Sequence, residues 1–290
     1  MGIDVHALNF IRYAEKQQPI GSVATIGRQG LHISKAKLRS IFPSARNYGP
    51  YCEELLADLL GATKVESFDN SDYEQATHIA DMNLPIECAE TFDTVLDAGT
   101  LEHIYNAPQA LTNVSTMCAE GGQILHILPA NNLCGHGFWQ FAPELFYSLY
   151  SQANGYSETT VFLASFDNEA YWYEVEAPSN GQRIIIQSVG PLYVLCRTKR
   201  GSRVSHDCVQ QSDYVYAWDH ENTIEPIDLD SFKRLGIDYL KGSPLASVLR
   251  ALNSLFGSVS VSRSPFLTKR SVADVIAKAP CANIPRPRAI

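Results

Sequence analysis

Two histidines and one glutamate are the residues of this chain best suited to proton transfer. Glu102 and His103 are adjacent in the run TLEHI, and His136 lies in the run CGHGFWQF. Imidazole titrates close to neutral pH, so a histidine can accept a proton from a reacting group under ordinary conditions. The same three side chains also offer oxygen and nitrogen atoms to a divalent metal ion. Their types therefore indicate general-base catalysis or a metal site, provided that the fold brings them together.

A second set of residues is suited to binding a nucleoside. Asp69, Asp81 and Asp97 each follow an apolar run, while Gly27 and Gly30 frame a turn after the run SVATI. A carboxylate at a strand end can accept hydrogen bonds from ribose hydroxyls, and the backbone N–H groups of a glycine turn attract negative charge. Their order along the chain indicates a nucleoside-containing ligand held at strand ends.

The elements that must position these residues alternate between strands and helices. Asp4 and Ser34 are predicted N-caps, and Gly61 is predicted to end a helix. Strands are predicted at 22–26, 64–68, 77–80, 92–96, 123–128, 159–165 and 183–196, and helices at 4–18, 35–42, 51–60, 108–118 and 143–152. This alternation predicts a doubly wound, mostly parallel, seven-stranded Rossmann-like α/β sheet that binds ligands at the carboxyl ends of its strands. His103 and His136 follow two such ends, so we expect them to face one crevice.

The segment 92–146 resembles the corresponding region of class I S-adenosylmethionine-dependent methyltransferases of the type 11-like kind. It contains an acidic strand end at Asp97, a Leu-Glu-His turn, a helix, a break at Gly121 and Gly122, and a strand that closes on Pro129. With the strand ends that precede it, the resemblance extends over roughly residues 20 to 200. It implies a transferase of the Rossmann-like class with S-adenosylmethionine as cofactor and S-adenosylhomocysteine as product.

The resemblance also implies which residues bind the cofactor. The turn after the first strand would meet its amino-acid portion, the second strand end its ribose, the third its adenine, and the fourth its methyl group. The chain departs from the family at the turn, where Thr25, Gln29 and Leu31 replace an acidic residue and two glycines. The predicted cofactor-binding set is Gly27, Arg28, Gln29, Gly30, Asp69, Asn70, Asp81, Met82, Asp97 and Ala98.

The predicted activity is methyl transfer to a small molecule, a sugar or a modified peptide. An oxygen acceptor benefits most from a histidine base, so His103 and His136 are the predicted catalytic residues. Aromatic walls suit a neutral or cationic organic substrate, and Phe138, Trp139 and Tyr147 are predicted to bind it. The sequence leaves open which acceptor is used and whether oxygen, nitrogen or carbon is methylated.

Three alternatives remain. Glu102, His103 and His136 are similar to a reduced version of the metal site of small-RNA 2′-O-methyltransferases, which would give a metal-assisted O-methyltransferase. Gly99 stands where that site has its first glutamate, so no metal is predicted. The altered turn at Gln29 allows a catalytically inactive binding or regulatory module. An NAD-linked oxidoreductase shares the order of elements, but the single glycine in register disfavours it.

Composition limits the partners. The net charge of −8 disfavours nonspecific nucleic-acid binding, which requires clustered lysine and arginine. The seven cysteines form no CxxC pair, which is typical of free thiols in a reducing compartment. The N-terminal run does not resemble a signal peptide, and no apolar run reaches the roughly 18 residues that span a bilayer. A cytoplasmic protein without membrane contact is therefore predicted, with its oligomeric state left open.

Two regions are predicted along the chain. Residues 1–220 would form the methyltransferase domain, including the helix at 4–18. Residues 221–290 would form a mostly helical or irregular extension, with helices at 229–235, 244–256 and 272–277.

Overall fold

A computed structural model describes residues 2–207, 209–220 and 266–280, which form one nine-stranded sheet with helices on both faces. The strands are β1 Ser22–Ile26, β2 Lys64–Asp69, β3 His78–Ile79, β4 Phe92–Asp97, β5 Cys118–Pro129, β6 Tyr156–Ser165, β7 Tyr171–Val175, β8 Leu192–Arg200 and β9 Leu267–Ser271. The α-helices are α1 Val5–Gln17, α2 Lys35–Ile41, α3 Glu53–Leu60, α4 Ala107–Met117, α5 Pro143–Leu149, α6 Ser212–His220 and α7 Val272–Lys278. A 3-10 turn, Leu101–His103, follows β4.

The strand order is β3-β2-β1-β4-β5-β8-β6-β7-β9. The first five strands are parallel, and the other four are joined by antiparallel pairs. The order 3-2-1-4-5 is that of doubly wound nucleotide-binding sheets, whose ligands bind where the direction of winding reverses. Here that switch point lies between β1 and β4. The predicted α/β fold class is confirmed, with nine strands instead of seven.

Helix ends follow the predicted local signals. The Asp4 side chain accepts a hydrogen bond from the Ala7 N–H, and the Ser34 hydroxyl accepts one from the Lys37 N–H. Gly61 ends α3 in the left-handed region at φ +73°. These caps supply partners to backbone groups that a helix end would otherwise leave unsatisfied.

Two apolar layers hold the sheet between its helices. Alternate residues of the central strands point to opposite faces, so Leu96 and Leu125 pack toward α1, α3 and α7, while Val95 and Ile124 pack toward α4 and α5. Both faces of the central strands are therefore buried, as expected for a parallel sheet. The strand ends are left as the accessible edge.

The predicted glycine break before β5 lies inside that strand. β5 begins at Cys118, and its register with β4 shifts between the pairs Phe92–Cys118 and Thr94–Gln123. Gly121, at φ +75°, supplies the left-handed residue that such a bulge uses. The two glycines therefore bend a strand rather than precede it.

The antiparallel half departs most from the sequence prediction. β8 covers 192–200 instead of 183–196, and β7 and β9 were not predicted. β9 has the polar sequence LTKRS, which lacks the apolar run of a buried strand. β9 nevertheless pairs with β7, and α7 confirms the helix predicted at 272–277. The helices predicted at 229–235 and 244–256 lie outside the described residues, and the boundary at residue 220 stays a prediction.

Within the described ranges, no helix is both long and apolar enough to cross a membrane.

Candidate active site at the carboxyl ends of the parallel strands

The turn after β1 closes tightly over the switch point. Gly27 has φ +73°, and a Cβ atom there would lie 2.6 Å from Oγ1 of Thr100. The Thr100 hydroxyl donates to the Ile26 carbonyl at 2.7 Å, and the Gln29 amide donates to the same carbonyl at 2.5 Å. Gln29 and Thr100 also contact each other at 3.2 Å. A glycine is therefore required at position 27, and two polar side chains fill the space beneath the turn.

Arg28 connects the turn to the end of β2. Its backbone N–H donates to Oδ2 of Asp69 at 3.3 Å, which brings the predicted turn and the predicted ribose carboxylate together. Its guanidinium donates to Glu53 at 2.7 Å and to the Glu74 carbonyl at 2.6 Å, and it lies 4.0 Å from the ring centroid of Tyr51. These contacts connect the turn after β1, the start of α3 and the loop after β2 at the carboxyl end of β2.

The acidic residues after β2 and β3 differ in surroundings. Asp69 is half-buried, and Asn70 beside it is exposed. Asp81 is exposed and accepts hydrogen bonds from the backbone and side-chain amides of Asn83, which lower its pKa. Met82 is buried in the apolar layer that includes α4, and its contact with the cofactor stays a prediction.

Gly30 and Ala98 complete the predicted turn and the predicted fourth strand end. The Gly30 carbonyl accepts a hydrogen bond from the Ile3 N–H at 2.8 Å, which ties the N-terminal segment to the turn. Ala98 is fully buried in the layer facing α1.

Asp97, at the end of β4, is buried and fully hydrogen-bonded within the fold. It is 0% exposed, and its Oδ1 accepts from the backbone N–H groups of Thr100 at 3.1 Å and Leu101 at 3.3 Å. Its Oδ2 lies 3.0 Å from Nδ1 of His126, whose Nε2 lies 2.7 Å from the Tyr150 hydroxyl. These contacts fix the start of the 3-10 turn, and the cofactor-binding role of Asp97 stays a prediction.

Glu102, His103 and His136 are brought together above the ends of β4 and β5. The imidazole ring centroids are 5.4 Å apart. Oε1 of Glu102 lies 3.4 Å from Nε2 of His136 and 3.7 Å from Nε2 of His103. The pairing of two histidines far apart in sequence, expected from the parallel topology, is thus present.

The loop after β5 is anchored on the Glu102 backbone. The N–H groups of Phe138 and Trp139 donate to the Glu102 carbonyl at 2.7 Å and 3.3 Å, and the Trp139 indole donates to the Ile104 carbonyl at 2.9 Å. A Cβ at Gly137 would lie 2.8 Å from that Glu102 carbonyl oxygen, so only glycine allows the loop to approach so closely. This docking holds His136 over Glu102.

Burial changes the protonation of the cluster. Burial and, after it, the charge of Asp97 raise the pKa of Glu102 to about 8. Burial lowers the pKa of both His103 and His136, and their mutual repulsion adds to the effect at His103. Without a ligand, the cluster at neutral pH therefore holds a protonated Glu102 beside neutral imidazoles.

The predicted acceptor-binding aromatics separate into two places. Phe138 is 69% exposed beside the cluster, where its ring meets that of Tyr105 at 6.5 Å, and Trp139 is its neighbour. The Tyr147 hydroxyl instead donates to the Val175 carbonyl at 2.5 Å. Tyr147 lines a groove of about 720 Å³ with Tyr150 and residues 156–159. Strand register places that groove toward the amino end of β5, away from the histidines.

Several residues of the site had weak sequence signals. The sequence indicated Glu102 only as a ligand in the alternative with a metal site, although its side chain is as buried as that of Asp97. Thr100 and His126 gave no signal, because their roles depend on contacts to β1 and α5 that sequence spacing does not encode. An isolated His126 within an apolar strand resembles any core histidine.

Comparisons with known proteins find similar solved structures. No protein-family model matches the chain, and no curated protein matches it by sequence. Similar solved structures include the N-methyltransferase NodS from Bradyrhizobium japonicum, with 13% identity, coverage of 67% of this chain and 94% of that chain, and a TM-score of 0.37. Another is a possible histamine N-methyltransferase from Thermotoga maritima, with 16% identity, coverage of 68% and 91%, and a TM-score of 0.37.

A third similar structure is the plantazolicin methyltransferase BpumL in complex with S-adenosylhomocysteine. It has 10% identity, coverage of 68% of this chain and 83% of that chain, and a TM-score of 0.38. Each of the three is described as a methyltransferase. At such low identities and TM-scores, any functional assignment depends on the residues of this chain.

Proposed function

We propose that this chain is an S-adenosylmethionine-dependent methyltransferase that methylates a hydroxyl of a small molecule, a sugar or a modified peptide. One observation carries the proposal. Two groups of residues lie along the same carboxyl edge of the parallel strands, one on each side of the switch point. The first is the Gly27 turn with Asp69, and the second is the cluster of Glu102, His103 and His136. A nucleoside cofactor and an acceptor need such adjacent sites.

The residues around the switch point fit a nucleoside. Asp69 is half-buried, and its carboxylate faces the backbone of the turn, which suits hydrogen bonds to ribose hydroxyls. Asp81 has a lowered pKa, so it stays ionised and can accept hydrogen bonds from an amine. Asn70 adds an exposed amide next to Asp69.

The histidines supply the base in the metal-free protein. The cofactor, when bound, supplies an activated methyl group that leaves its sulfur for the acceptor oxygen. Burial lowers the pKa of both imidazoles, so either is unprotonated at neutral pH and can take the hydroxyl proton. Phe138 and Trp139 border the cluster and provide an apolar wall for the acceptor.

Cofactor binding tests the proposal directly. Purified protein is titrated with S-adenosylhomocysteine and followed by calorimetry and native mass spectrometry. We expect one ligand per chain and loss of binding in Asp69→Ala. Asp207→Ala is the matched control, because Asp207 is an exposed carboxylate in the loop that follows β8. Absence of binding at millimolar ligand would refute the proposal.

A second candidate is a binding module without catalytic activity. It is favoured by Gln29 and Thr100, whose side chains occupy the space beneath the turn. The variant Gln29→Ala separates the two functions. If the natural protein binds no S-adenosylhomocysteine and Gln29→Ala does, the glutamine obstructs the site and the module is favoured. Equal binding by both proteins supports the methyltransferase.

A further inference from the structure

Glu102 carries an unsatisfied buried carboxylate. Its side chain is 0% exposed, and neither carboxylate oxygen has a hydrogen-bond donor among the residues that the structure describes. Nε2 of His136 is likewise buried without a partner in that part of the chain. Buried polar groups are nearly always hydrogen-bonded in folded proteins, because leaving them unpaired costs free energy. Two neighbouring unpaired groups indicate a missing partner that both can bind.

The spacing of the cluster matches a metal ion. One ligand atom from each of Glu102, His103 and His136 can be chosen so that all three lie within 4.8 Å of one another. Ligand atoms around a tetrahedral ion with bonds of about 2.0–2.1 Å are about 3.4 Å apart. Oε1 of Glu102 is already 3.4 Å from His136 Nε2 and 3.7 Å from His103 Nε2.

We propose that Glu102, His103 and His136 form a binding site for one divalent transition-metal ion. A carboxylate oxygen with two imidazole nitrogens is a donor set that suits ions such as Zn²⁺, Co²⁺ and Fe²⁺. Three protein ligands leave at least one coordination position open, as in catalytic rather than structural metal sites.

The site has a closed side and an open side. Glu102 lies at the bottom, beneath the loop anchored by Phe138 and Trp139. The side chains of His103 and His136 are 50% and 35% exposed, so an ion can enter from solvent.

A metal ion at this site would also take part in the proposed methyl transfer. That part of the inference rests on the proposed function. A bound divalent ion lowers the pKa of a coordinated hydroxyl, so the acceptor oxygen could lose its proton to water at neutral pH. His103 and His136 would then act as ligands, and their role as bases would be confined to the metal-free protein. The acceptor would be one with a hydroxyl free to reach the ion.

Cobalt titration tests the site without any substrate. Tag-free protein is treated with a chelator, desalted and titrated with Co²⁺, and the visible absorption is recorded before and after displacement by Zn²⁺. We expect one ion per chain with the absorption of a four- or five-coordinate site. Glu102→Gln and His136→Ala are each expected to weaken binding by about 100-fold or more, since changes to residues outside the ligand shell already cost about 10–100-fold.

His78→Ala is the matched control. His78 lies on β3, at the far edge of the sheet, and its Nε2 is 2.8 Å from Oε2 of Glu66, so it presents a histidine–glutamate pair away from the cluster. This variant should bind Co²⁺ as the natural protein does. The inference is overturned if the natural protein binds no stoichiometric Co²⁺, or if Glu102→Gln binds it equally well.

Failure of this inference is distinguishable from failure of the proposed function. Binding of Co²⁺ without binding of S-adenosylhomocysteine would keep the metal site and reject the methyltransferase. Binding of S-adenosylhomocysteine without Co²⁺ would keep the cofactor site and reject the metal.

Discussion

The end of β4 and the turn after it each bury a carboxylate, and the two differ in their partners. Asp97 and Glu102 are both 0% exposed. Asp97 accepts hydrogen bonds from two backbone N–H groups and pairs with His126. Glu102 has no donor within the described part of the chain. Burial alone therefore does not assign a role, whereas the state of the hydrogen bonds separates a structural acid from a candidate functional one.

The largest expected effect is loss of stability in Asp97→Ala. Three donors, two of them buried, lose their acceptor, and each buried one costs about 1–3 kcal/mol. We expect the free energy of unfolding to fall by about 3 kcal/mol or more, measured by urea denaturation. Asp93→Ala is the control, because Asp93 is an exposed acid of the same strand that accepts from Ser22. A loss as small as that of the control would contradict the structural role of Asp97.

The next effect concerns Glu102→Gln in protein freed of metal, and it depends on pH. The folded-state pKa of about 8 lies above the ordinary value of 4.5, so the folded protein holds a proton that the unfolded chain has released. Stability contributed by this group therefore falls as pH rises between those values. We expect the variant to match the natural protein near pH 4 and to exceed it by a few kcal/mol near pH 8.

Urea denaturation across that pH range measures the difference. A constant difference between the two proteins would show that Glu102 is not an uncompensated acid. Saturating Zn²⁺ should abolish the advantage of the variant, since the ion would stabilise the natural carboxylate.

A smaller effect is expected for Tyr150→Phe. The change removes the hydroxyl that lies 2.7 Å from His126, so a buried acceptor loses its donor at a cost of about 1 kcal/mol. Thermal unfolding measures it, with Tyr105→Phe as a control because Tyr105 is 77% exposed. Equal melting temperatures for the two variants would show that Tyr150 does not stabilise the network of Asp97 and His126.

The smallest effect is expected for His103→Ala. The ring is half-exposed, and its Nε2 is 3.7 Å from Glu102, beyond hydrogen-bond distance. We expect the free energy of unfolding to change by less than about 0.5 kcal/mol, while Co²⁺ binding is lost. A large loss of stability would assign His103 to the scaffold with Asp97.

The parallel half of the fold was predictable because its signals are local. The sequence directly indicates the apolar runs at β1, β2 and β4. It also indicates the helix caps at Asp4 and Ser34 and the helix end at Gly61. The topology then implied that His103 and His136 would meet. The structure brings these two histidines together, and their catalytic role stays a prediction.

The rest depended on contacts that spacing does not encode. β9 is polar and becomes a strand because β7 offers it an open edge. Asp97 and Glu102 look alike in sequence, five residues apart, and only the neighbouring His126 and the backbone of the turn distinguish them. The sequence predicts Tyr147 as an acceptor contact, and the structure pairs its hydroxyl with Val175 of β7 and places the ring in a groove separate from the histidines. Its contact with the acceptor stays a prediction.

The pairing of β9 with β7 has a consequence for how the chain is made. β7 is complete by Val175, but the strand that covers its edge begins only at Leu267. A chain emerging from the ribosome therefore carries an unpaired strand edge with Tyr171, Trp172 and Tyr173 for much of its synthesis. Cleavage between the two strands, with loss of the later one, would expose the same edge and favour aggregation.

Among the residues that the structure describes, the outer strand on this side of the sheet is β9, which carries Lys269 and Arg270. Charged side chains on an edge strand oppose pairing with another chain. The polar sequence of β9 thus protects the sheet from pairing with another chain. The same polar sequence is the reason why the hydrophobic pattern did not predict β9 as a strand.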